Sequence, residues 1–169
     1  FTEVADTVRI DHTITGLERN KLYYVRAYAE NKQGLAYSDT LMFSTKPFAV
    51  DPNDPTLYLI QNKEDLHRLT NMSDYWDEDF QQNADIALTS ADFEEGGVFY
   101  NDGDGYQPIG NKTTQFTGSY DGGGHVIDGL QILRDANTST DANIYVGLFG
   151  FAFDAIIKNL GVTNAQVSG

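Results

Sequence analysis

The sequence predicts an all-β protein: a partial antiparallel β-sandwich, then the N-terminal cap and first rungs of a right-handed parallel β-helix, with one short helix near residues 62–72. Ten Tyr, ten Phe and sixteen Gly, against four Pro and two Met, favour strands over helix bundles. Apolar and polar residues alternate with a period of two across residues 12–45, which is typical of antiparallel strands. Nearer the C-terminus, short apolar segments separated by Gly, Asp and Asn recur, which indicates stacked repeats.

The net charge of −14 limits the classes of partner. Nucleic acids and anionic membrane surfaces are negative and would repel this chain, so we expect neither as a partner. The sequence contains no Cys, which excludes disulfides, thiolate metal sites and cysteine nucleophiles. No apolar segment is long enough to span a bilayer. Because the chain begins at Phe1 and its first residues already read as a strand, we expect it to be part of a longer protein.

Three segments of the N-terminal part predict strands: His12–Leu17, Lys21–Asn31 and Gly34–Thr45. The turn NKQG separates the last two. Alternating strands joined by turns of this kind predict an antiparallel sandwich.

The segment LERNKLYYVRAYAENKQGLAYSDTLMFSTKP resembles the E–F turn, strand F and strand G of fibronectin type III domains in bacterial surface proteins. Tyr23 stands six residues after Leu17, where that family places a tyrosine whose hydroxyl is tied back to the backbone. Arg19 and Lys21 replace the Pro and Thr usual in that turn. The resemblance implies that residues 1–46 are the C-terminal half of such a domain, with the other half expected upstream.

Residues 47–57 predict a linker, because this stretch holds three of the four prolines among Asp and Asn residues that favour turns. The second domain is then expected to cover residues 58–169. Near its start, Asn62 is a suitable N-cap, and Leu66 and Leu69 form an apolar stripe. These residues predict the short helix that caps the β-helix.

The segments FTGSYDGGGHVIDGLQIL and VGLFGFAFDAIIKNLGVT align at an offset of 30 residues. This offset places Ile127 on Ile157 and Ile132 on Val162. A unit this short cannot bury its own apolar face and must lie on a neighbouring unit. The apolar run Val146–Gly169 is therefore predicted to form the interior of a coil in a parallel β-helix.

The same region resembles the GLUG-motif family of bacterial extracellular proteins over residues 58–169. The family's motifs follow in order as PIG at 108–110, FTGSYDGGGHVI at 116–127, and GLFG at 147–150 followed by IKNL. The resemblance implies secretion or surface display in large adhesin-like or peptidase-associated proteins, with the motif as a structural repeat that has no activity of its own. The segment Ser90–Gly105 is longer than expected for this family and is predicted to project as a loop.

Aromatic residues cluster around this acidic loop: Phe93, Phe99, Tyr100 and Tyr106. Alternation along GGVFYN places Phe99 and Tyr100 on opposite faces, and we expect Phe99 to point inward. Tyr100 and Tyr106 are then the candidate ligand-binding residues, because aromatic rings beside carboxylates can hold sugars by stacking and hydrogen bonds. The alternative is local packing that folds the loop onto the helix.

Asp102 and Asp104, in the segment NDGDG, are the candidate metal ligands. Calcium takes about six to eight oxygen ligands, and this acidic stretch could supply several. A solvated acidic loop is the alternative, because the bidentate Glu of an EF-hand is missing. His12, His67 and His125 show no metal-binding spacing. Apart from calcium, no cofactor is predicted.

No motif for catalysis is present in the sequence. The stretch YDGGGHVIDG lacks the ending of a phosphate-binding loop and is predicted to form a tight turn between rungs. No Ser or Thr lies in a nucleophile elbow, and adjacent carboxylates do not by themselves make an acid–base pair.

We therefore predict a non-enzymatic module of a larger secreted or surface-displayed bacterial protein, acting in adhesion, display, or the binding of glycans or host surface proteins. Two alternatives stay open. One is the N-terminal part of a β-helix polysaccharide-degrading enzyme, whose catalytic residues would lie in further rungs. The other is an accessory domain of a secreted peptidase.

Overall fold

The computed structural model of the protein describes residues 11–134 and 145–168. These residues form fourteen short strands, one α-helix and two 3-10 turns, so the chain is all-β with one short helix, as predicted. Within that described part, no helix has the length and apolar character needed to cross a membrane. The chain divides into two compact units, Phe1–Pro47 and Phe48–Gly169.

Two antiparallel strand pairs form in the first unit: β1 (Leu22–Val25) with β4 (Leu41–Ser44), and β2 (Tyr28–Asn31) with β3 (Gly34–Tyr37). Asn31 closes the turn between β2 and β3. Its Oδ1 accepts hydrogen bonds from the backbone N–H groups of Gln33 at 2.8 Å and Gly34 at 3.1 Å. Because Gly34 adopts a φ of +140°, which favours glycine, NKQG forms the turn that the sequence predicts.

Each long strand predicted in this unit is divided in the structure. The Ser38 N–H donates to the Ala27 carbonyl at 2.9 Å, and the Ala27 N–H donates to Ser38 Oγ at 2.9 Å. At this point a side-chain oxygen, instead of a backbone carbonyl, accepts the hydrogen bond, so the backbone pairing is interrupted. The predicted strand Lys21–Asn31 is therefore divided into β1 and β2, and the predicted strand Gly34–Thr45 into β3 and β4. The strand expected at His12–Leu17 is wrong: the segment has no strand pairing, and Gly16 within it has a φ of +75°.

Tyr23 and Thr45 tie the turn before β1 to the paired strands. Tyr23 Oη accepts a hydrogen bond from the Glu18 N–H at 2.8 Å, which is the backbone link expected of this tyrosine. Thr45 Oγ1 donates to the Glu18 carbonyl at 2.6 Å and accepts from the Lys21 N–H at 2.9 Å. The Tyr23 ring also stacks on Phe43, with ring centroids 6.0 Å apart.

The second unit contains the remaining elements, which follow in this order: β5 (Ala49–Val50), β6 (Leu57–Ile60), α1 (Lys63–Asn71), a 3-10 turn (Ser73–Tyr75), β7 (Asp79–Gln82), β8 (Ile86–Ala87), a 3-10 turn (Ser90–Asp92), β9 (Ser119–Asp121), β10 (Val126–Asp128), β11 (Gln131–Leu133), β12 (Ile156–Lys158), β13 (Gly161–Thr163) and β14 (Gln166–Ser168). The described strands form one sheet of order β12-β9-β7-β6-β5, a second of order β13-β10-β8 and a third of β11-β14. All these pairs are parallel except β5 with β6, which is antiparallel.

Residues in register along these sheets are buried on the same side. Phe80 pairs with Tyr120, and both side chains are 0% exposed. Ile86 pairs with Ile127, and they are 3% and 0% exposed. Because parallel strands far apart in sequence turn the same side chains inward, successive segments of chain stack on one another and share one core.

The two segments aligned in the sequence pair in parallel in the structure, but the predicted offset of 30 residues is wrong. The structure pairs buried residues with later ones as follows: Tyr120 with Ile157, Ile127 with Val162, and Ile132 with Val167. The partners are 37 residues apart in the first sheet and 35 in the other two. Four residues connect β9 to β10, whereas two connect β12 to β13. This difference of two residues accounts for the change from 37 to 35, which a single alignment offset does not describe.

Ile157, Val162 and Val167 are 41%, 41% and 47% exposed, so much of the run Val146–Gly169 is not the coil interior that the sequence predicts. Their strands, β12, β13 and β14, are edge strands of their sheets within the described residues. Leu148, earlier in the run, is 8% exposed and belongs to the core.

The helix prediction is confirmed. Asn62 Oδ1 accepts a hydrogen bond from the Asp65 N–H at 2.9 Å and so caps α1. Leu66 and Leu69 are both 0% exposed, as their spacing predicts. Trp76 Nε1 donates to the Leu69 carbonyl at 2.8 Å, which satisfies one carbonyl of the last helical turn.

The boundary between the two units falls between Pro47 and Phe48, at the start of the segment 47–57 predicted as a linker, and the rest of that segment belongs to the second unit. Phe48 is 2% exposed, and β5 pairs with β6. Asp51 Oδ1 then accepts hydrogen bonds from the N–H groups of Asn53 at 2.7 Å and Asp54 at 3.1 Å. Pro and Asx residues therefore form the turn between these two paired strands.

Candidate functional site

The long loop Ser90–Gly105 is folded onto the helix instead of projecting as predicted. Phe93 and Phe99 are 8% and 3% exposed, and their rings stack with centroids 5.8 Å apart. Phe99 also meets the His67 ring of α1 edge-on at 5.4 Å. The predicted inward orientation of Phe99 is confirmed, and aromatic packing holds the loop in place.

Tyr106 is not the exposed ligand contact that the sequence predicts. Its side chain is 0% exposed, and its ring lies 5.5 Å from that of Phe99. Burial strongly raises the pKa of the Tyr106 hydroxyl, which has no hydrogen-bond partner among the described residues. Local packing, the alternative interpretation, therefore applies to Tyr106.

Tyr100 is exposed, as predicted, with 42% of its surface accessible. It borders a small cavity of about 100 Å³, together with His67, Asn101 and Gln107. Burial, and next the charge of Arg68, lower the pKa of His67, so its imidazole is neutral at neutral pH. Tyr100 thus presents an aromatic ring beside neutral polar groups.

A larger cleft of about 560 Å³ lies next to this cavity. Asn101 and Gln107 line both spaces, so the two are adjacent. Amide and hydroxyl side chains make up much of the cleft wall: Ser73, Asn101, Gln107, Asn111, Thr113 and Thr114. Its volume lies within the range of roughly 300–1,000 Å³ found for ligand-binding clefts.

Asp104 and Arg134 form an ion pair in the wall of the larger cleft. Arg134 Nη1 donates to Asp104 Oδ2 at 2.7 Å, and Nη2 donates to the Tyr106 carbonyl at 3.2 Å. The Arg134 side chain is 3% exposed, whereas that of Asp104 is 47% exposed. The backbone holds the pair as well, because the Leu133 N–H donates to the Asp104 carbonyl at 2.9 Å.

Among the described residues, Asp102 and Asp104 are not brought together with a third metal-binding side chain. Asp102 is exposed in the turn with a φ of +49°, while Asp104 is engaged by Arg134. In residues 11–134 and 145–168, no three His, Asp or Glu side chains come together in a way that could hold a metal ion. The histidines are also separate: His12 is exposed, His67 lies in α1, and His125 Nδ1 is 3.2 Å from Asp85 Oδ1.

Arg134, Gln107 and Asn111 were not among the predicted site residues. Gln107 and Asn111 flank the PIG motif on either side, so the motif itself was a signal for two of them. Arg134 follows β11 and contacts Asp104 of the loop Ser90–Gly105, 30 residues earlier in the chain, because the tertiary structure brings the two together. No local pattern in the sequence points to that contact.

The chain is similar to parts of two much longer proteins. It is 37% identical over 122 residues to Halomucin of Haloquadratum walsbyi, a match that covers 70% of this chain and 1% of that protein. It is also 35% identical over 114 residues to a protein of Evansella cellulosilytica described as a Gly-rich membrane protein. This match covers 66% of this chain and 11% of that protein. No protein-family model and no solved structure matches the chain. The chain therefore corresponds to a small part of each of these relatives.

Proposed function

We propose that this chain is a non-enzymatic module of a larger secreted or surface-displayed protein and that it binds glycans through the cleft beside Tyr100. The names Halomucin and Gly-rich membrane protein support a location at the cell surface or outside the cell. The observation that carries the binding role is the exposed Tyr100 side chain in a small cavity that adjoins a cleft lined by amide and hydroxyl side chains. Proteins bind sugars in this way, with an aromatic ring against the apolar face of the sugar and polar side chains around its hydroxyl groups.

In this proposal the second unit is the capped start of a right-handed parallel β-helix of the GLUG type. The support is the set of three sheets in which β9, β10 and β11 pair in parallel with β12, β13 and β14. A stack of this kind is a spacer, because each layer contacts only its neighbours and the loops project from one scaffold. Adhesion and display are the roles that such a scaffold serves.

The first unit is proposed to be the C-terminal half of a fibronectin type III domain. The hydrogen bond from the Glu18 N–H to Tyr23 Oη supports this, since it is the tyrosine-corner link of such sandwiches. The antiparallel pairing of β1 with β4 agrees with strands F and G.

The lining of the cleft favours binding over hydrolysis. Glycoside hydrolysis uses two carboxyl groups on either side of the scissile bond. Among the described residues that line the cleft, Asp104 is the one carboxylate, and its partner is Arg134. This arrangement supplies an acceptor for hydroxyl groups rather than an acid–base pair.

Retention of the purified chain on immobilised glycans, with and without calcium, tests the proposal. We expect retention on at least one glycan, and we expect Tyr100→Ala to abolish it because the stacking surface is removed. Tyr24→Ala is the matched control, since Tyr24 is 67% exposed in the first unit and far from the cleft in sequence. Absence of retention, or equal loss in both variants, would overturn the binding role.

A further inference from the structure

We infer that the cleft takes a neutral saccharide, whose hydroxyl groups donate to the free edge of the Asp104 carboxylate while Arg134 holds that carboxylate in place. This inference rests on the proposed function and names the class of ligand. It follows from how the Asp104–Arg134 pair is arranged, from the remaining polar groups of the cleft and from the charges at its surface.

Arg134 acts as a positioning residue behind the carboxylate. Its Nη1 and Nη2 are committed to Asp104 Oδ2 and the Tyr106 carbonyl. Its Nε is buried without a hydrogen-bond partner among the described residues, and the whole side chain is 3% exposed. The guanidinium therefore does not offer its N–H groups to a ligand in the cleft. It fixes the plane of the Asp104 carboxylate instead.

Asp104 lines the cleft, and one oxygen of its carboxylate is not used by Arg134. Oδ2 accepts from Arg134, while no described residue donates to Oδ1. With 47% of the side chain exposed, Oδ1 can accept hydrogen bonds from ligand hydroxyl groups. Hydrogen bonds to a charged acceptor are stronger than neutral ones, and an acceptor that is already oriented loses little freedom on binding.

Asn111 and Gln107 supply the complementary groups. Asn111 Oδ1 accepts from the N–H groups of Thr113 and Thr114, both at 2.9 Å. These two hydrogen bonds hold the Asn111 amide in place and use its oxygen. The Nδ2 group is then left to donate. The exposed amide of Gln107 carries both a donor and an acceptor. Sugar hydroxyls both donate and accept, so they match this set better than a group that only accepts.

The charges of the Asp104–Arg134 pair favour a neutral ligand over an acidic one. The Arg134 charge is buried and paired, so the exposed member of the pair is the carboxylate. An acidic sugar would bring a second negative charge to Asp104 in a chain of net charge −14. Lys112 also lines the cleft and is the residue through which an acidic sugar would have to be held.

Binding of defined trisaccharides to the 169-residue chain tests the inference. The probes are maltotriose, mannotriose and galactotriose, with trigalacturonic acid as the acidic counterpart of galactotriose. Calorimetry gives affinities, and amide NMR spectra show which side chains respond. We expect at least one neutral trisaccharide to bind and to shift the side-chain amide signals of Asn111 and Gln107. We expect trigalacturonic acid to bind more weakly than galactotriose.

Two substitutions locate the contact. Asp104→Asn is expected to weaken neutral binding about tenfold, because a charged acceptor is replaced by a neutral one. Since this change also leaves the Arg134 charge unpaired, Gln107→Ala provides a second variant with an exposed side chain, and it is expected to weaken binding about fivefold. Gln33→Ala, at an exposed Gln of the turn between β2 and β3, is its matched control.

The outcomes separate this inference from the proposed function. If Tyr100→Ala abolishes glycan retention while Asp104→Asn and Gln107→Ala leave affinities unchanged, the binding role stands and the role of Asp104 is overturned. If trigalacturonic acid binds and no neutral trisaccharide does, the module still binds glycans but the ligand class is wrong. If nothing is retained on any glycan surface, both proposals are overturned.

Discussion

Lys63 Nζ lies 2.5 Å from Asp92 Oδ1, and this contact joins the start of α1 to a 3-10 turn 29 residues later in the chain. Asp92 Oδ2 accepts from the Thr89 N–H at 2.8 Å and from Thr89 Oγ1 at 3.0 Å. Both carboxylate oxygens are therefore used, and the residue is 5% exposed. The beginning of the loop that carries Tyr100 is anchored to the helix through Asp92.

Asp92→Asn is expected to lower the free energy of unfolding by about 2–3 kcal/mol, because a nearly buried carboxylate loses its charge-assisted bonds. Denaturant unfolding at neutral pH measures this change. Glu94→Gln, at an exposed carboxylate of the same loop, is the control and should change stability by less than about 0.5 kcal/mol. Equal effects of the two substitutions would contradict the anchoring role.

The stability should also depend on pH through Asp92. Burial raises the pKa of Asp92, but the hydrogen bonds from Lys63 and Thr89 outweigh it and hold the pKa below its ordinary value of 3.8. The stabilisation is then complete above the ordinary value and is lost as the pH falls through the lower folded-state pKa. Unfolding free energies between about pH 5 and pH 2 should fall more steeply in the natural chain than in Asp92→Asn. Identical slopes would show that Asp92 does not carry this dependence.

Phe80→Ala is expected to lower the free energy of unfolding by about 3–5 kcal/mol. The ring is 0% exposed, and its removal opens a cavity in the core of the second unit. Phe153→Ala removes the same ring from a position that is 55% exposed and should cost less than about 1 kcal/mol. Thermal unfolding of both variants provides the comparison. A loss of similar size in the two would mean that the second unit does not share one core.

Gly110, in the PIG motif, has a φ of +80°, and a Cβ added there would collide with the Phe151 carbonyl oxygen. Gly103 has a similar φ of +90° but nothing within 4 Å of an added Cβ. Gly103→Ala should therefore lower the free energy of unfolding by about 1–2 kcal/mol, which is the strain of a left-handed backbone. Gly110→Ala should lower it clearly more, because of the added collision. Matched unfolding curves measure the difference, and a smaller loss for Gly110→Ala would be inconsistent with this close approach.

Tyr23→Phe removes the hydroxyl that accepts from the Glu18 N–H and leaves the ring against Phe43. We expect hydrogen exchange of the Glu18 amide to accelerate by about fivefold, which corresponds to the loss of one ordinary hydrogen bond. Tyr24→Phe, at a ring that is 67% exposed, should leave that amide unchanged. An unchanged exchange rate in Tyr23→Phe would argue against the corner link.

Local signals in the sequence were enough for some elements of the fold. Asn62 with Leu66 and Leu69 defines the helix, because a cap and an apolar stripe are short-range features. The register of the repeat is not local. It depends on the number of residues in each turn, and the four residues between β9 and β10 have only two counterparts between β12 and β13.

The candidate site was predictable in part for the same reason. Phe99 is buried and Tyr100 is exposed, as alternation predicts, but the two residues lie in a turn and not in a strand, so alternation is not the physical reason. Tyr106 lies beyond the turn that contains Asp102 and Asp104, and its burial follows from packing against Phe99, which alternation does not describe. Whether an aromatic ring near a loop is exposed can therefore be judged only from the tertiary structure.

Ile157, Val162 and Val167 are half-exposed, and within the described residues they lie on edge strands, which bears on the behaviour of this chain in solution. Edge strands with accessible backbone groups and apolar side chains attract further strands, so the protein should self-associate as its concentration rises. Light scattering across a dilution series would reveal the concentration at which this begins. Affinities are best measured below that concentration, where glycan capture is not confused with aggregation.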